Sequence, residues 1–352
     1  MSIEPSSPPK EVCLIRLSAI GDTCHTLPVI RTLKAQWPTT KLTWIIGKVE
    51  ASLMRNIEDV EFIIFDKSRA WKAYLDVRDT LRGRNFDLLL HMHASMRANM
   101  VSLMVSAPIR LGFDRARAKD YQWLFTNRRI PAKPRQHVMD GLFGFAEFLG
   151  ISEREMRWDI PVSAQDHEFA RKHVDPAQPS LVISPCSSQR FRNFRNWDAV
   201  NYAAIADYAT GEYGARVLLT GGGSQLEKQY AQDITQACRS KPINLIGQTS
   251  LKELLCVLEA ATVLVCPDSG PAHMAGTVQT PVVGLYATSN RMRTGPYFCQ
   301  ELVVDKYPEA VAREFGRHPR ELPWGQRVRD PRAMDLIKVE EVKAKLDLVF
   351  SG

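Results

Sequence analysis

Val12-Cys-Leu-Ile-Arg16-Leu17 is a short apolar run that stops at Ser18-Ala-Ile-Gly21-Asp22, after which Leu27, Ile30, Leu33 and Lys34 recur at helical spacing until Pro38 ends the pattern. Strand, tight turn and helix in that order make half of a βαβ unit. The same grammar continues outward. Leu42-Thr-Trp-Ile-Ile46, Phe62-Ile-Ile-Phe65 and Asp87-Leu-Leu-Leu-His91 read as strands, with helices expected over about 51–56, 69–82 and 95–105. It restarts at Leu181-Val-Ile-Ser184 and runs through Arg216-Val-Leu-Leu219, Ile243-Asn-Leu245, Thr262-Val-Leu-Val265 and Val282-Val-Gly-Leu285, with helices between them. Apolar runs without alternation fit parallel strands covered on both faces. The expected fold class is therefore α/β, with two Rossmann-like domains whose parallel sheets face across a cleft.

The domains are expected at 1–165 and 166–352. The stretch 161–180, with Pro161, Pro176 and Pro179, reads as a linker holding a short helix around Glu168 to His173. A closing helix over about 338–350 is free to cross back onto the first domain. At 352 residues, 45% of them hydrophobic and 24% charged, the chain exceeds what one core usually organises and has the composition of a soluble globular protein. Met1 to Lys10 is polar, with three prolines and no apolar core of a leader, and no run approaches the roughly 20 apolar residues that span a bilayer. A cytoplasmic location is expected. The seven cysteines are odd in number and form no Cys-x-x-Cys pair, which fits buried reduced thiols.

Charge is uneven. Residues 1–165 hold 24 Lys+Arg against 18 Asp+Glu, and the remainder 22 against 21. Within Ser95 to Arg135 nine bases (Arg97, Arg110, Arg115, Arg117, Lys119, Arg128, Arg129, Lys133, Arg135) meet two acids. Such a segment is either a solvated face or a landing site for an acidic sugar, a phosphorylated lipid or nucleic acid.

Three loops carry chemistry. Arg16 to Pro28 opens a helix directly after a strand, where backbone N–H groups favour anions, yet Gly21 alone makes no dinucleotide fingerprint. Asp22 fits an N-cap there, and it also fits a general base. Ser184 to Trp197 places Ser187, Ser188, Arg190, Arg192 and Arg195 between strand and helix, either as a phosphate loop or as a solvated turn. Val265-Cys-Pro-Asp268-Ser269-Gly270-Pro271-Ala272-His273 is the most specific, since a strand ends and a helix begins at once. Backbone N–H groups after Ser269 are suited to a diphosphate, with His273 one turn further in. Gly221-Gly-Gly-Ser224 is a weaker turn of the same kind. His91 and His93 lack a third ligand and read as structural, and no Asp-x-Asp pair suggests a metal-dependent sugar-nucleotide site.

Together these loops resemble glycosyltransferase family 9, the heptosyltransferases of Gram-negative lipopolysaccharide core assembly. Arg16-Leu-Ser-Ala-Ile-Gly-Asp22-Thr-Cys-His-Thr-Leu-Pro28 is similar to the family's opening signature and looks most like heptosyltransferase I, the type that acts on Kdo. Asp268-Ser-Gly-Pro-Ala-His273 is similar to its Asp-(Ser/Thr)-Gly-x-x-His donor motif. The resemblance spans most of the chain and is weakest between about 300 and 335. It implies a GT-B fold, an acceptor domain followed by a donor domain, and inverting transfer from ADP-L-glycero-D-manno-heptose without metal or cofactor. It further implies Asp22 as the base, and Arg16 and Lys119 at the acceptor. Ser187, Ser188, Arg195, Asp268, Ser269, Gly270 and His273 would bind the donor, with Arg195 where the family commonly has Lys. The implied partners are the nucleotide-sugar donor, a Kdo–lipid A acceptor and, by peripheral contact, the inner leaflet of the cytoplasmic membrane, but not nucleic acid. Two other readings compete: a heptosyltransferase II or III, or another nucleotide-sugar transferase or epimerase of the same fold, and a basic nucleic-acid binder without catalysis.

Overall fold

A computed structural model describes residues 7–188 and 191–352 and divides them into two compact units, ending and starting at Pro161 and Val162. The polar start, Met1 to Ser6, and Arg190 of the arginine loop lie outside the described residues.

The first unit runs β1 (Glu11–Ile15), α1 (Ile20–Gln36), β2 (Lys41–Gly47), α2 (Lys48–Met54), β3 (Val60–Phe65), α3 (Lys72–Leu81), β4 (Leu88–His91), α4 (Met96–Ser102), β5 (Ile109–Gly112), β6 (Arg128–Arg129) and α5 (Val138–Phe148). Its strands are all parallel, in the order β3-β2-β1-β4-β5-β6. β1 and β4 sit at the centre, and their apolar residues, among them Val12, Leu14, Leu89 and Leu90, are shielded on both faces. Arg31 on α1 is buried as well, tolerated because Asp159 takes its guanidinium in two bonds of 2.7 and 2.8 Å. The sequence had offered no strand over β5 or β6, which are short and carry Arg110, Arg128 and Arg129 rather than an apolar run.

The second unit runs α6 (Ala164–His173), β7 (Ser180–Ile183), α7 (Ala199–Tyr213), β8 (Arg216–Leu219), α8 (Gln225–Ala237), β9 (Ile243–Asn244), α9 (Leu251–Ala260), β10 (Val263–Pro267), α10 (Gly270–Thr277), β11 (Val282–Tyr286), α11 (Arg291–Thr294), β12 (Val304–Asp305), α12 (Tyr307–Phe315) and α13 (Val339–Phe350). Its parallel order is β12-β11-β10-β7-β8-β9. In both sheets the chain starts in the middle, builds to one edge, and returns to build to the other. The crossover leaves a switch point between β1 and β4 and another between β7 and β10. Ligands of such sheets bind beyond the carboxyl ends of the strands at that point.

The short helix expected within the segment 161–180 is α6, which starts earlier, at Ala164, with a capping box of Ser163 and Asp166, and packs on α9. The closing helix α13 packs on α7, β11 and β12 of its own unit. Val342 and Leu346 are fully buried there, and Asp347 Oδ1 accepts from the hydroxyls of Tyr208 and Tyr213 at 2.7 and 2.8 Å. Burying each of these aliphatic side chains stabilises the docked helix by about 2 kcal/mol. All seven cysteines are free, and burial pushes every thiol upward, Cys186 to about 12 and Cys238 to about 11. Among the described residues no helix is long and apolar enough to cross a membrane.

Candidate active site

Apart from Lys119, the candidate residues fall on the turns that leave three of the central strands, β1, β7 and β10. Arg16 and Asp22 flank the β1–α1 turn. Asp22 lies in the first turn of α1, so its carboxylate reaches back to the Ala19 N–H at 3.2 Å and meets the Arg16 guanidinium at 2.5 Å. Both contacts fall on one oxygen, Oδ2, and a third of the side chain stays exposed. Asp22 is therefore not the N-cap, which is Ala19, but the third residue of the helix, bonded back to the cap's N–H. Burial would raise the Asp22 carboxyl, but Arg16, His25 and the Ala19 N–H outweigh it and hold the group well below the usual carboxylate range. Arg16 is itself fixed by donating to the Met92 carbonyl at 2.6 Å.

His93 Nδ1 accepts the Leu17 N–H at 3.1 Å, and His91 bonds Gln122 through both its ring and its carbonyl. Burial, with Arg16 adding to it at His93, lowers both imidazoles to about 3 and keeps them neutral. Lys119 stands apart, exposed on the loop between β5 and β6, in no hydrogen bond or ion pair with Asp22 or Arg16. The basic count between 95 and 135 also overstates free charge. Arg110 spends its guanidinium on the carbonyls of Phe125, Val105 and Ser102, Arg117 pairs with Asp114, and Lys133 pairs with Glu147.

In the second unit the β7–α7 and β10–α10 turns are tied together. Ser187 is buried, its hydroxyl donating to Asn196 Oδ1 at 3.1 Å and accepting from Asn193 Nδ2 at 2.8 Å. Asn193 Oδ1 then accepts from Arg195 Nε at 2.6 Å, and Arg195 Nη1 donates to the Asp268 carbonyl at 2.6 Å and to its carboxylate at 3.0 Å. The Ser187 hydroxyl thus bonds both asparagines, whereas the Ser188 side chain is exposed and its carbonyl accepts from Asn193. Asp268 is buried, which would raise its carboxyl, but Arg195 and Arg327 hold it down, the latter at 3.5 Å.

Arg327 is the functional candidate that the sequence did not suggest. It comes from the irregular stretch after α12, where no periodicity or motif marks it. The stretch is pinned by Val328 N–H to the Thr288 carbonyl at 3.1 Å and by Arg329 to the Arg192 carbonyl at 2.6 Å.

Ser269 opens α10 in extended backbone and makes no side-chain cap, and its buried hydroxyl oxygen has no hydrogen-bond partner among the described residues. Pro271 removes one first-turn N–H, and those of Gly270 and Ala272 remain for an anion. Two guanidinium groups against one carboxylate leave a net positive charge beside them. His273 follows on the same helix, close enough to Asp268 for their charges to interact.

The turn at Gly221–Ser224 is closed instead. Glu227 accepts the N–H of Gly222 at 2.6 Å and of Ser224 at 3.1 Å, and the Ser224 hydroxyl as well. For metal ligands, His167, Cys256 and Glu259 bring a nitrogen, a sulfur and an oxygen within 4.8 Å of one another. They lie where α6 meets α9, on neither switch-point turn.

Residues 74–324 match the model of glycosyltransferase family 9 (heptosyltransferase). Among curated proteins, the chain is 38% identical over 334 residues to the lipopolysaccharide core heptosyltransferase OpsX of Haemophilus influenzae, covering 95% of each. It is 20% identical over 304 residues to lipopolysaccharide heptosyltransferase 1 of Escherichia coli, covering 83% of this chain and 92% of that one. Overall similarity is thus greater to OpsX than to the type its opening motif suggested. Among solved structures, E. coli heptosyltransferase WaaC with ADP matches with a TM-score of 0.67 at 20% identity, over 83% of this chain and 92% of that one.

Proposed function

The chain belongs to glycosyltransferase family 9, the heptosyltransferases, with the paired Rossmann-like units of the GT-B class, and from that premise we propose that it transfers heptose from ADP-L-glycero-D-manno-heptose to Kdo in the inner core of lipopolysaccharide. The name of OpsX supports a lipopolysaccharide core acceptor, and the ADP in the WaaC structure supports the nucleotide. Kdo as the acceptor residue rests on the opening motif. The reading of a binder without catalysis falls with the family.

One observation carries the donor side: a buried carboxylate held between two arginines beside a helix N-terminus that no side chain caps. The diphosphate seats against Arg195, Arg327 and the first N–H groups of α10. These groups stabilise the charge that builds on the departing ADP, as pre-placed donors do at any developing anion. On the acceptor side, Asp22 Oδ2 is occupied by Arg16 and Ala19, so Oδ1 takes the proton of the attacking hydroxyl. The new bond joins the oxygen of that hydroxyl to the anomeric carbon, the bond from that carbon to the phosphate oxygen breaks, and the configuration inverts. A carboxylate held this low is a weak base. It accepts the proton late, once bond formation has made the hydroxyl acidic. Lys119 and Arg16 supply positive charge toward the acid groups of the acceptor. The enzyme works at the cytoplasmic face of the inner membrane by peripheral contact.

Incubation with ADP-heptose and truncated Kdo–lipid A, followed by mass measurement, tests this. The expected product is the acceptor plus one heptosyl residue and free ADP. Donor consumption with no glycosylated lipid would sink the reading and favour a hydrolase or epimerase.

A further inference from the structure

The segment from Ser95 to Leu124 shows apolar side chains to solvent in an unusual density. Met96, Met100 and Leu103 line the open side of α4, and Tyr121 and Leu124 border the short 3₁₀ turn Gln122–Leu124. Leu103, Tyr121 and Leu124 are 61%, 63% and 64% exposed. Single exposed apolar residues are ordinary, but a group on bonded neighbours marks an interaction surface. These pieces are bonded. Asp120 accepts the Met96 N–H at 3.0 Å through its side chain and the Asn99 amide at 2.6 Å through its carbonyl. Arg110 joins the carbonyls of Ser102 and Phe125 at 2.6 and 2.9 Å.

The charge beside them is mostly positive. Arg97, Arg115 and Lys119 are exposed on the same stretch, and Arg128 and Arg129 just beyond it. Of the two acids on the stretch, Asp114 is paired with Arg117, and Asp120 is exposed and accepts the Met96 N–H. Apolar side chains with free bases beside them are what an interfacial anchor presents to acidic lipid: the first enter the headgroup boundary and the second meet the phosphates. A second copy of the chain is disfavoured, since a twofold contact would set these bases against themselves.

The geometry points to α4 and the 122–124 turn as a docking surface for an anionic lipid bilayer. This surface also sits by the acceptor turn. α4 follows β4, β4 is hydrogen-bonded to β1, and Arg16 at the end of β1 bonds the Met92 carbonyl just past β4. A lipid drawn from the leaflet here enters beside Asp22. The inference rests on the proposed lipid-borne acceptor and adds the surface that receives it.

Sedimentation of the full chain with vesicles tests it, using phosphatidylcholine alone and phosphatidylcholine mixed with phosphatidylglycerol. Binding is expected only to the mixed vesicles, weakened by salt, and about tenfold lower for the M100S/L103S/L124S variant. The three residues are exposed, so melting temperature and ADP affinity should match the wild type; L124S alone, losing less, guards against misfolding of the triple variant. Equal binding by wild type and variant, or none by either, overturns the surface. A dimer in light scattering that the variant dissolves assigns it to a second copy instead, and RNA binding that the variant loses assigns it to nucleic acid. Transfer to an acyl-free Kdo acceptor separates the two readings. Vesicle binding without such transfer removes the function and leaves the surface, whereas transfer without vesicle binding does the reverse.

Discussion

At the β1–α1 turn one arginine meets one aspartate; at the β10–α10 turn two arginines meet one. Asp22 sits inside the helix, where it caps the backbone and stays partly open to water. Asp268 sits before the helix, buried, turned to arginines rather than to the helix N–H groups. A shift of a few residues in where the carboxylate falls therefore reverses what each turn offers. The first presents a negative oxygen, suited to a proton; the second presents N–H groups and spare positive charge, suited to phosphate. The Gly221–Ser224 turn is the internal control, since there Glu227 fills the helix N-terminus and no anion is invited.

The sharpest way to break this contrast is Asp22→Asn. Transfer is expected to fall by about 10³-fold, with ADP affinity by calorimetry unchanged. A parallel loss of ADP binding would mean the two turns do not divide the labour as described. Arg195→Ala comes next. Losing a charge-assisted contact costs about 1.5–3 kcal/mol, so ADP affinity should weaken by about 10- to 100-fold. The melting temperature should fall too, because a buried carboxylate loses a partner. Arg327→Ala should weaken ADP by only about threefold to tenfold, since its contact is longer and more exposed. An effect as large as that of Arg195 would make the two arginines equal partners.

Acid titration probes both carboxylates at once. Their folded pKa values lie below the ordinary one, so the stability they contribute is complete above about pH 4 and is lost as pH falls further. Thermal melts between pH 5 and 8 should show no contribution from either; a loss on acidifying across that window would mean one of them is not held down. The smallest expected effect is Glu227→Ala, with stability lower by about 1 kcal/mol and ADP affinity and turnover unchanged. A loss of ADP binding there would make that turn part of the site.

Both sheets could be read from apolar runs, because a strand buried on both faces has to be apolar. Asp268 to His273 stood out because strand, turn and helix meet with no spare residue. β5 and β6 escaped since Arg110, Arg128 and Arg129 break the pattern, and α5 was passed over for want of a marked start. Arg327 had no local signal, because what places it is the Val328 bond to Thr288, a contact 40 positions away in the chain. The closure of the Gly221 turn was legible in principle: Ser224-Gln-Leu-Glu227 is a capping box. Charge counting was the coarsest guide. Arg110 was counted with the other bases of its segment and is a backbone clamp, because composition does not say where a guanidinium spends its hydrogen bonds.

The uniformly raised thiols have a practical consequence for chemical labelling. The thiolate is the reactive form, so native sulfurs held this far above their ordinary range should react with maleimides on the order of 100-fold more slowly at neutral pH than a water-exposed one. A single engineered cysteine on either unit could then carry a dye without any native residue being removed first. That would make motions during turnover accessible to fluorescence in an otherwise unaltered enzyme.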